Sequence, residues 1–314
     1  MLPPVANRFV AGETASEAID HARRQTVHGI KPMFNLLGSH HDDLATAEAD
    51  TAEYRQLIAD VAAADLGCET AISLKPTQLG LECSPVRFRD LLACVLETAV
   101  EHDVFVWLDM EAHTTVDATL DAYERFARVS DGRIGVCLQA DLERTADDLE
   151  RLASVPGKLR LVKGGAYERP PGVAYTDADR IDRAYRELLE RAFESVEGTV
   201  AVATHDPAMI EYAIDRAGDA EADLEFQLLM GVRPQTQREL ATEYDVWQFL
   251  PYGTRWKRWA LNRVKRNAGF AARAVAGNVL SFTGTSGTDA ARTGVVATDG
   301  AGSDSGSGLE SSRE

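Results

Sequence analysis

The chain is poor in positive charge and in cysteine. It carries 33 Lys and Arg against 50 Asp and Glu, a formal net charge of -17 over 314 residues. A surface that neutralises phosphates needs the opposite balance, so a nucleic-acid partner is excluded. The acid is spread along helices rather than gathered in one block. That is the pattern of a solvated anionic surface, as in proteins of salt-rich cytoplasm, where self-repulsion is screened. The four cysteines (Cys68, Cys83, Cys94 and Cys137) have no CxxC spacing, which argues against a disulfide framework and a thiolate metal site. His40, His41, Asp42 and Asp43 cannot converge on one ion as consecutive residues, so no metal is expected. No apolar run approaches the ~20 residues of a membrane helix, and the N-terminus lacks the basic and apolar regions of a signal peptide. These absences predict a soluble, cytoplasmic protein.

What is present is a repeating alternation of strand and helix. Eight short apolar runs end in a polar residue or glycine. They are MFNLLG (33–38), AISLK (71–75), VFVWLD (104–109), IGVCLQ (134–139), LRLVK (159–163), VAVATHD (200–206), LEFQLLMG (224–231) and VWQFLPYG (246–253). Runs that are apolar without alternation imply strands buried on both faces, as in parallel sheets. Amphipathic segments lie between them. One has Phe88, Leu91, Leu92, Val95, Leu96, Ala99 and Val100 on its stripe, and another has Ile181, Ala184, Tyr185, Leu188, Leu189, Ala192, Phe193 and Val196. Eight strand–helix repeats predict a (β/α)8 barrel. A doubly wound sheet fits less well, because no glycine-rich dinucleotide turn follows the first strand. An additional N-terminal helix is expected, capped by Thr14 or Ser16. Residues 1–280 are read as one catalytic domain. Residues 281–314, rich in Gly, Ser, Thr and Asp, are read as a disordered polar tail.

In a barrel, the residues that close each strand face the active site. Here they include Lys75, Asp109, Gln139, Lys163, His205 and Gln227. Arg160 lies inside an apolar strand, where an unpaired guanidinium is costly to bury, so it requires an anionic or accepting partner. A salt bridge across the barrel and a cofactor contact both satisfy that requirement. Glu111 and His113, just past Asp109, are candidates for supporting contacts. The segment after the last strand reverses the chain's charge with Arg255, Lys257, Arg258, Arg263, Lys265 and Arg266, either as a solvated face or as a patch that receives an anion.

Seven segments, SLKPTQLG, LDMEAH, GVCLQAD, RLVKGGAY, ATHD, EFQLLMGV and LPYGTRW, occur in order and with barrel spacing. Together they resemble the successive strand motifs of proline dehydrogenases over about residues 30–270. The resemblance implies a distorted (β/α)8 barrel with non-covalent FAD that oxidises L-proline to 1-pyrroline-5-carboxylate and passes electrons to a quinone, with peripheral contact at the inner membrane face. Carried over by position, Asp109 and Arg160 form the catalytic polar pair. Lys75, Tyr167, Asn262 and Arg263 bind substrate. Met110, Gln139, Lys163, Gly164, Gly165, Ala166, Thr204, His205 and Gln227 contact FAD. The chain departs from the family at three points. Asn262–Arg263 stands where two arginines are usual, Phe249 stands for a tyrosine, and KGGAY has an extra glycine. These departures leave room for a relative with an altered substrate, hydroxyproline or an N-substituted proline, or with lost turnover. A Schiff-base aldolase using Lys75 or Lys163 is the alternative from a different class.

Overall fold

The structure is a computed structural model and describes residues 4–165, 167, 169–218, 222–257 and 259. Ala166, Asn262, Arg263 and the expected tail at 281–314 lie outside the described residues. The chain divides into a unit spanning Met1–Lys265 and a second spanning Arg266–Glu314; only the first is described.

All eight apolar runs form strands: β1 (Ile30–Leu36), β2 (Ala71–Leu74), β3 (Phe105–Leu108), β4 (Ile134–Gln139), β5 (Lys158–Val162), β6 (Thr199–Val202), β7 (Asp223–Leu229) and β8 (Asp245–Tyr252). They pair in parallel in chain order, and β8 returns to β1 to close the barrel. After a short helix α1 (Pro4–Asn7) comes α2 (Ala15–Thr26). Thr14 caps α2, and Glu17 completes a reciprocal capping box. The helices that follow β1 to β7 are α3 (Leu44–Ala63), α4 (Pro85–Glu101), α5 (Val116–Val129), α6 (Thr145–Leu152), α7 (Ala178–Ser195), α8 (Pro207–Ala217) and α9 (Pro234–Leu240). Helix α2 lies on the seam between β8 and β1, where His21 hydrogen-bonds Gln248 on the barrel's outer face at 3.0 Å. The expected stripe of α4 is buried from Phe88 to Ala99, but Val100 is exposed. At ~100° per residue, position 100 lies about 120° round the helix from Phe88, off the buried face.

Side chains alternate along each strand between the helix layer and the barrel interior. The outward set (Phe34, Ile72, Val106, Val136, Leu161, Val202 and Phe226 among them) makes one continuous core with the helices. The inward set is different. Met33, Ala71, Trp107, Ala201 and Trp247 pack at the barrel centre, with Phe105 and Phe249 beside them. Trp107 needs room that only glycine gives, since a Cβ on Gly135 would lie 2.5 Å from its ring. Interleaved with these rings are polar inward residues, Lys158, Arg160, Glu225 and Gln227. These positions place chemistry inside the barrel. No described helix is long and apolar enough to cross a membrane.

Candidate active site

At the C-terminal end of the strands lies a cavity of about 220 Å³. Met110, Val162, Ala203, Leu228, Leu229 and Phe249 give it apolar walls, and Asp109, Arg160, His205 and Gln227 supply polar groups. Arg160 meets the first expectation for a buried guanidinium, an ion pair inside the barrel. It crosses the barrel to Asp109, Nη2 to Oδ1 at 2.6 Å, and it lines the cavity. Its Nη1 donates to Gln227 Oε1 at 3.1 Å, and its cation lies 5.1 Å from the Trp107 ring centroid.

Asp109 is a convergence point. Ser73 Oγ donates to its Oδ1 at 2.6 Å, and Lys75 Nζ lies 3.4 Å from its Oδ2. Burial alone raises a carboxyl pKa. Here Lys75 and Arg160, aided by the Ser73 hydrogen bond, outweigh that effect and hold the Asp109 carboxyl below its ordinary range. Lys75 Nζ also reaches Asn35 Oδ1 at 3.4 Å, and Asn35 is itself fixed by its hydrogen bond to the Ser73 carbonyl at 2.7 Å.

The β5–α7 loop forms one rim. Gly164 and Gly165 line the cavity with bare backbone. A Cβ on Gly164 would fall 2.4 Å from the Asp141 carboxylate, and one on Gly165 would fall 2.7 Å from the Tyr167 ring. Glycine is therefore a steric requirement at both positions. Tyr167 lines the cavity, with its hydroxyl 3.4 Å from Glu111 Oε1. Glu111 is fully buried and accepts from the Thr77 backbone and hydroxyl at 2.8 and 2.9 Å. Burial, only partly countered by Thr77, raises its pKa. His205 accepts from the Leu229 backbone N–H through Nε2 at 3.2 Å, which in the neutral ring puts the proton on Nδ1.

Several expected residues are held by partners of the protein itself. Gln139 lines the cavity, but both ends of its amide are engaged. Its Nε2 donates to the Met110 carbonyl at 2.9 Å, and its Oε1 accepts from Arg169 at 2.7 Å. Arg169 also pairs with Asp141 at 3.0 Å, so these three residues clamp the glycine rim from behind. Lys163 points away from the cavity to Asp182 on α7 and to Asp206, the cap of α8, at 2.6 Å from the latter. Thr204 is buried and accepts from the Asp206 N–H at 3.2 Å rather than lining the cavity. His40, His41 and Asp43 diverge to Glu82, Asp50 and the cap of α3. No metal-binding cluster is found among the described residues. Of the basic residues after β8, Arg255 makes a bidentate pair with buried Asp50 at 2.6 and 2.9 Å. Asp50 also receives His41 at 2.7 Å and Gln78 at 2.8 Å, binding three loops of the catalytic face together. Nothing local in the sequence marks Asp50, and the Glu225 carboxylate beneath Gln227 was equally unmarked.

Comparisons with known proteins converge on one family. The proline dehydrogenase family profile matches residues 18–258. Proline dehydrogenase 1 of Bacillus subtilis (strain 168) is 32% identical over 277 residues, 86% of this chain and 90% of that protein. The proline dehydrogenase of Deinococcus radiodurans is 33% identical over 278 residues, covering 85% and 88%. Among solved structures, proline utilization A (PutA) of Bdellovibrio bacteriovorus, inactivated by N-propargylglycine, superposes with a TM-score of 0.75 at 21% identity. That match covers 82% of this chain but only 32% of the larger protein, and at such identity it speaks for the barrel alone. The profile spans nearly the whole barrel and the relatives align along most of the chain, so this protein is an enzyme of the proline dehydrogenase family.

Proposed function

We propose that the cavity oxidises L-proline to 1-pyrroline-5-carboxylate, the first step of proline catabolism, with FAD as hydride acceptor and a quinone as the next electron carrier. The observation that carries this reading is the buried Arg160–Asp109 pair at the base of an apolar-walled cavity. Family membership supplies the substrate class.

The residues present suit a flavin. A flat ring needs apolar walls, which Met110, Val162, Leu229 and Phe249 provide. An acidic phosphate chain needs backbone N–H donors without obstructing side chains, which Gly164 and Gly165 offer at the rim. Arg160, Gly164, Gly165, His205 and Gln227 are the groups that would hold the cofactor. FAD, when bound, takes up the hydride from the carbon next to the ring nitrogen of proline.

The chain does the rest. Arg160 would hold a fixed cation beside the bound ring and so favour the negative charge that reduction builds, an effect that apolar walls strengthen relative to water. Asp109, held ionised, balances Arg160 and Lys75 and orients both. Lys75 does not line the cavity itself but sits against Asp109, which does, and by family resemblance it would anchor the substrate carboxylate in company with Arg263. The ordered walls exclude water and hold a small ring at near-contact distance, where most of the rate gain arises. Of the two lysines considered for Schiff-base chemistry, Lys163 is directed out of the cavity and Lys75 adjoins Asp109. The aldolase alternative draws no support from either.

The test is an absorbance spectrum of the purified protein, before and after proline is added without oxygen. A yellow protein bleached by proline is the expected result. Protein that stays colourless after reconstitution with FAD sinks the proposal. A specific observation favours one variant of it. Phe249, which replaces a tyrosine of the family, lines the cavity itself. A missing hydroxyl there alters the substrate's surroundings, so bleaching by hydroxyproline or an N-substituted proline, but not by proline, would point to a changed substrate.

A further inference from the structure

The barrel interior holds an ordered polar chain beneath the cavity. Two strands each contribute a pair of residues at i and i+2: Lys158 and Arg160 on β5, and Glu225 and Gln227 on β7. The period of a strand turns both members of each pair inward. Strand β6 separates β5 from β7, and the inward residue it places between them is Ala201, in register with both Arg160 and Glu225. That methyl group leaves space for side chains to meet over it. Lys158 Nζ reaches Glu225 Oε2 at 2.7 Å, Gln227 Nε2 donates to Glu225 Oε1 at 2.7 Å, and Arg160 Nη1 donates to Gln227 Oε1 at 3.1 Å.

The chemistry of the end groups fixes the middle. A guanidinium only donates, and a carboxylate only accepts. The Gln227 amide therefore has one satisfying orientation, with oxygen toward Arg160 and nitrogen toward Glu225. Glu225 is nearly inaccessible to solvent, at 1% exposure, and Lys158 supplies its countercharge. Lys158 is held in turn over the Phe105 and Trp247 rings, 5.2 and 5.7 Å from their centroids.

We propose that Glu225 is a positioning residue for catalysis, which locks the Gln227 amide and through it aims the Arg160 guanidinium at the reacting centre. This rests on the reading of the cavity as a proline-oxidising flavin site, but Glu225 does not line that cavity. Replacing Glu225 by Gln keeps its shape and makes the chain of donors and acceptors inconsistent. If the new amide turns its oxygen to Lys158, its nitrogen meets Gln227. The Gln227 amide must then reverse and face Arg160 donor to donor. Removing Lys158 as well frees the new amide to accept from Gln227 and restores a consistent order.

The experiment compares the wild type, Glu225→Gln and Lys158→Met/Glu225→Gln. In ligand-free protein labelled with 15N, Glu225→Gln is expected to shift the Gln227 side-chain amide and Arg160 guanidinium resonances, and the double variant to return them toward wild type. In the flavin-loaded enzyme, Glu225→Gln is expected to lower kcat roughly ten- to a hundredfold, as for a misaimed charged donor. KM should stay within about twofold, and the double variant should recover most of the loss. Unchanged resonances, a KM effect without a kcat effect, or no recovery in the double variant would each overturn the proposal. If Glu225→Gln does not fold, Glu225→Asp, which keeps the charge but withdraws it from Gln227, is read in the same way. The ligand-free spectra judge the relay whether or not flavin binds, so a failure of the functional reading is distinguishable from a failure of this one.

Discussion

Arg160 and Asp109 are 51 positions apart in sequence and meet at 2.6 Å inside the barrel, each satisfying a charge the other would leave buried. An ion pair of this kind is a weak source of net stability, but breaking it is expensive, because one partner alone leaves an uncompensated charge. Asp109→Ala is therefore expected to destabilise the ligand-free protein by about 3–5 kcal/mol in urea denaturation. Asp109→Asn, which still accepts a hydrogen bond, should lose less. A loss below about 1 kcal/mol for the alanine variant would mean that the pair does not organise the site.

Asp50 makes a prediction in acid. Burial raises its carboxyl pKa, but Arg255, His41 and Gln78 together bring it below the ordinary value. A depressed folded-state pKa stabilises the protein above the unfolded value, ~3.9 for Asp, and the stabilisation disappears as pH falls through the folded value. Asp50→Asn should be less stable than wild type by about 1–3 kcal/mol at neutral pH; the two should begin to converge below about pH 4 and meet only below the folded-state value. Denaturation curves at several pH values check this. A gap that persists at low pH would place the effect in packing rather than charge.

The glycine rim is testable by a single methyl group. Gly165→Ala sets a Cβ 2.7 Å from the Tyr167 ring and 2.8 Å from Gln139 Nε2, so Tyr167 must shift. Loss of bound flavin, or a proline KM raised roughly tenfold, is the expected outcome, about 1.4 kcal/mol of binding. The urea midpoint should move little, because the strain falls on a loop. Normal flavin content and normal KM would show that the rim is not part of the site.

Asn262, outside the described residues, yields a prediction from sequence alone. If it occupies the place of a substrate-binding arginine, Asn262→Arg adds a charge-assisted contact to the proline carboxylate. Affinity for a proline analogue should rise about ten- to a hundredfold, equivalent to ~1.5–3 kcal/mol. An unchanged dissociation constant would assign carboxylate binding to other groups.

The fold was legible because buried parallel strands announce themselves. VFVWLD and IGVCLQ are apolar up to their final residue and hold β3 and β4. The strand-end rule also put Asp109, Gln139, His205 and Gln227 on the cavity wall. The rule weakened where the strand stops, since alternation no longer fixes direction beyond it. Lys163 follows the last residue of β5 and turns toward α7. Contacts between distant segments left no local trace. Asp50 meets Arg255 across 205 residues, a pairing that no window of sequence contains. Glu225 was hidden differently. Two residues before Gln227 on one strand, it reads as a routine strand-start carboxylate, and only the small Ala201 between the neighbouring strands makes it a partner for Lys158.

The placement of α2 has a consequence for how the molecule is made. Helix α2, which precedes every barrel strand in sequence, packs on a seam whose other edge is β8. Neither can settle until some two hundred intervening residues have been synthesised, and loop-closure entropy of that length slows the joining. Until β8 arrives, β1 offers an open edge and α2 an uncovered apolar stripe, both prone to wrong partners. Closure of this barrel is thus a late event, with β1 and α2 waiting for β8.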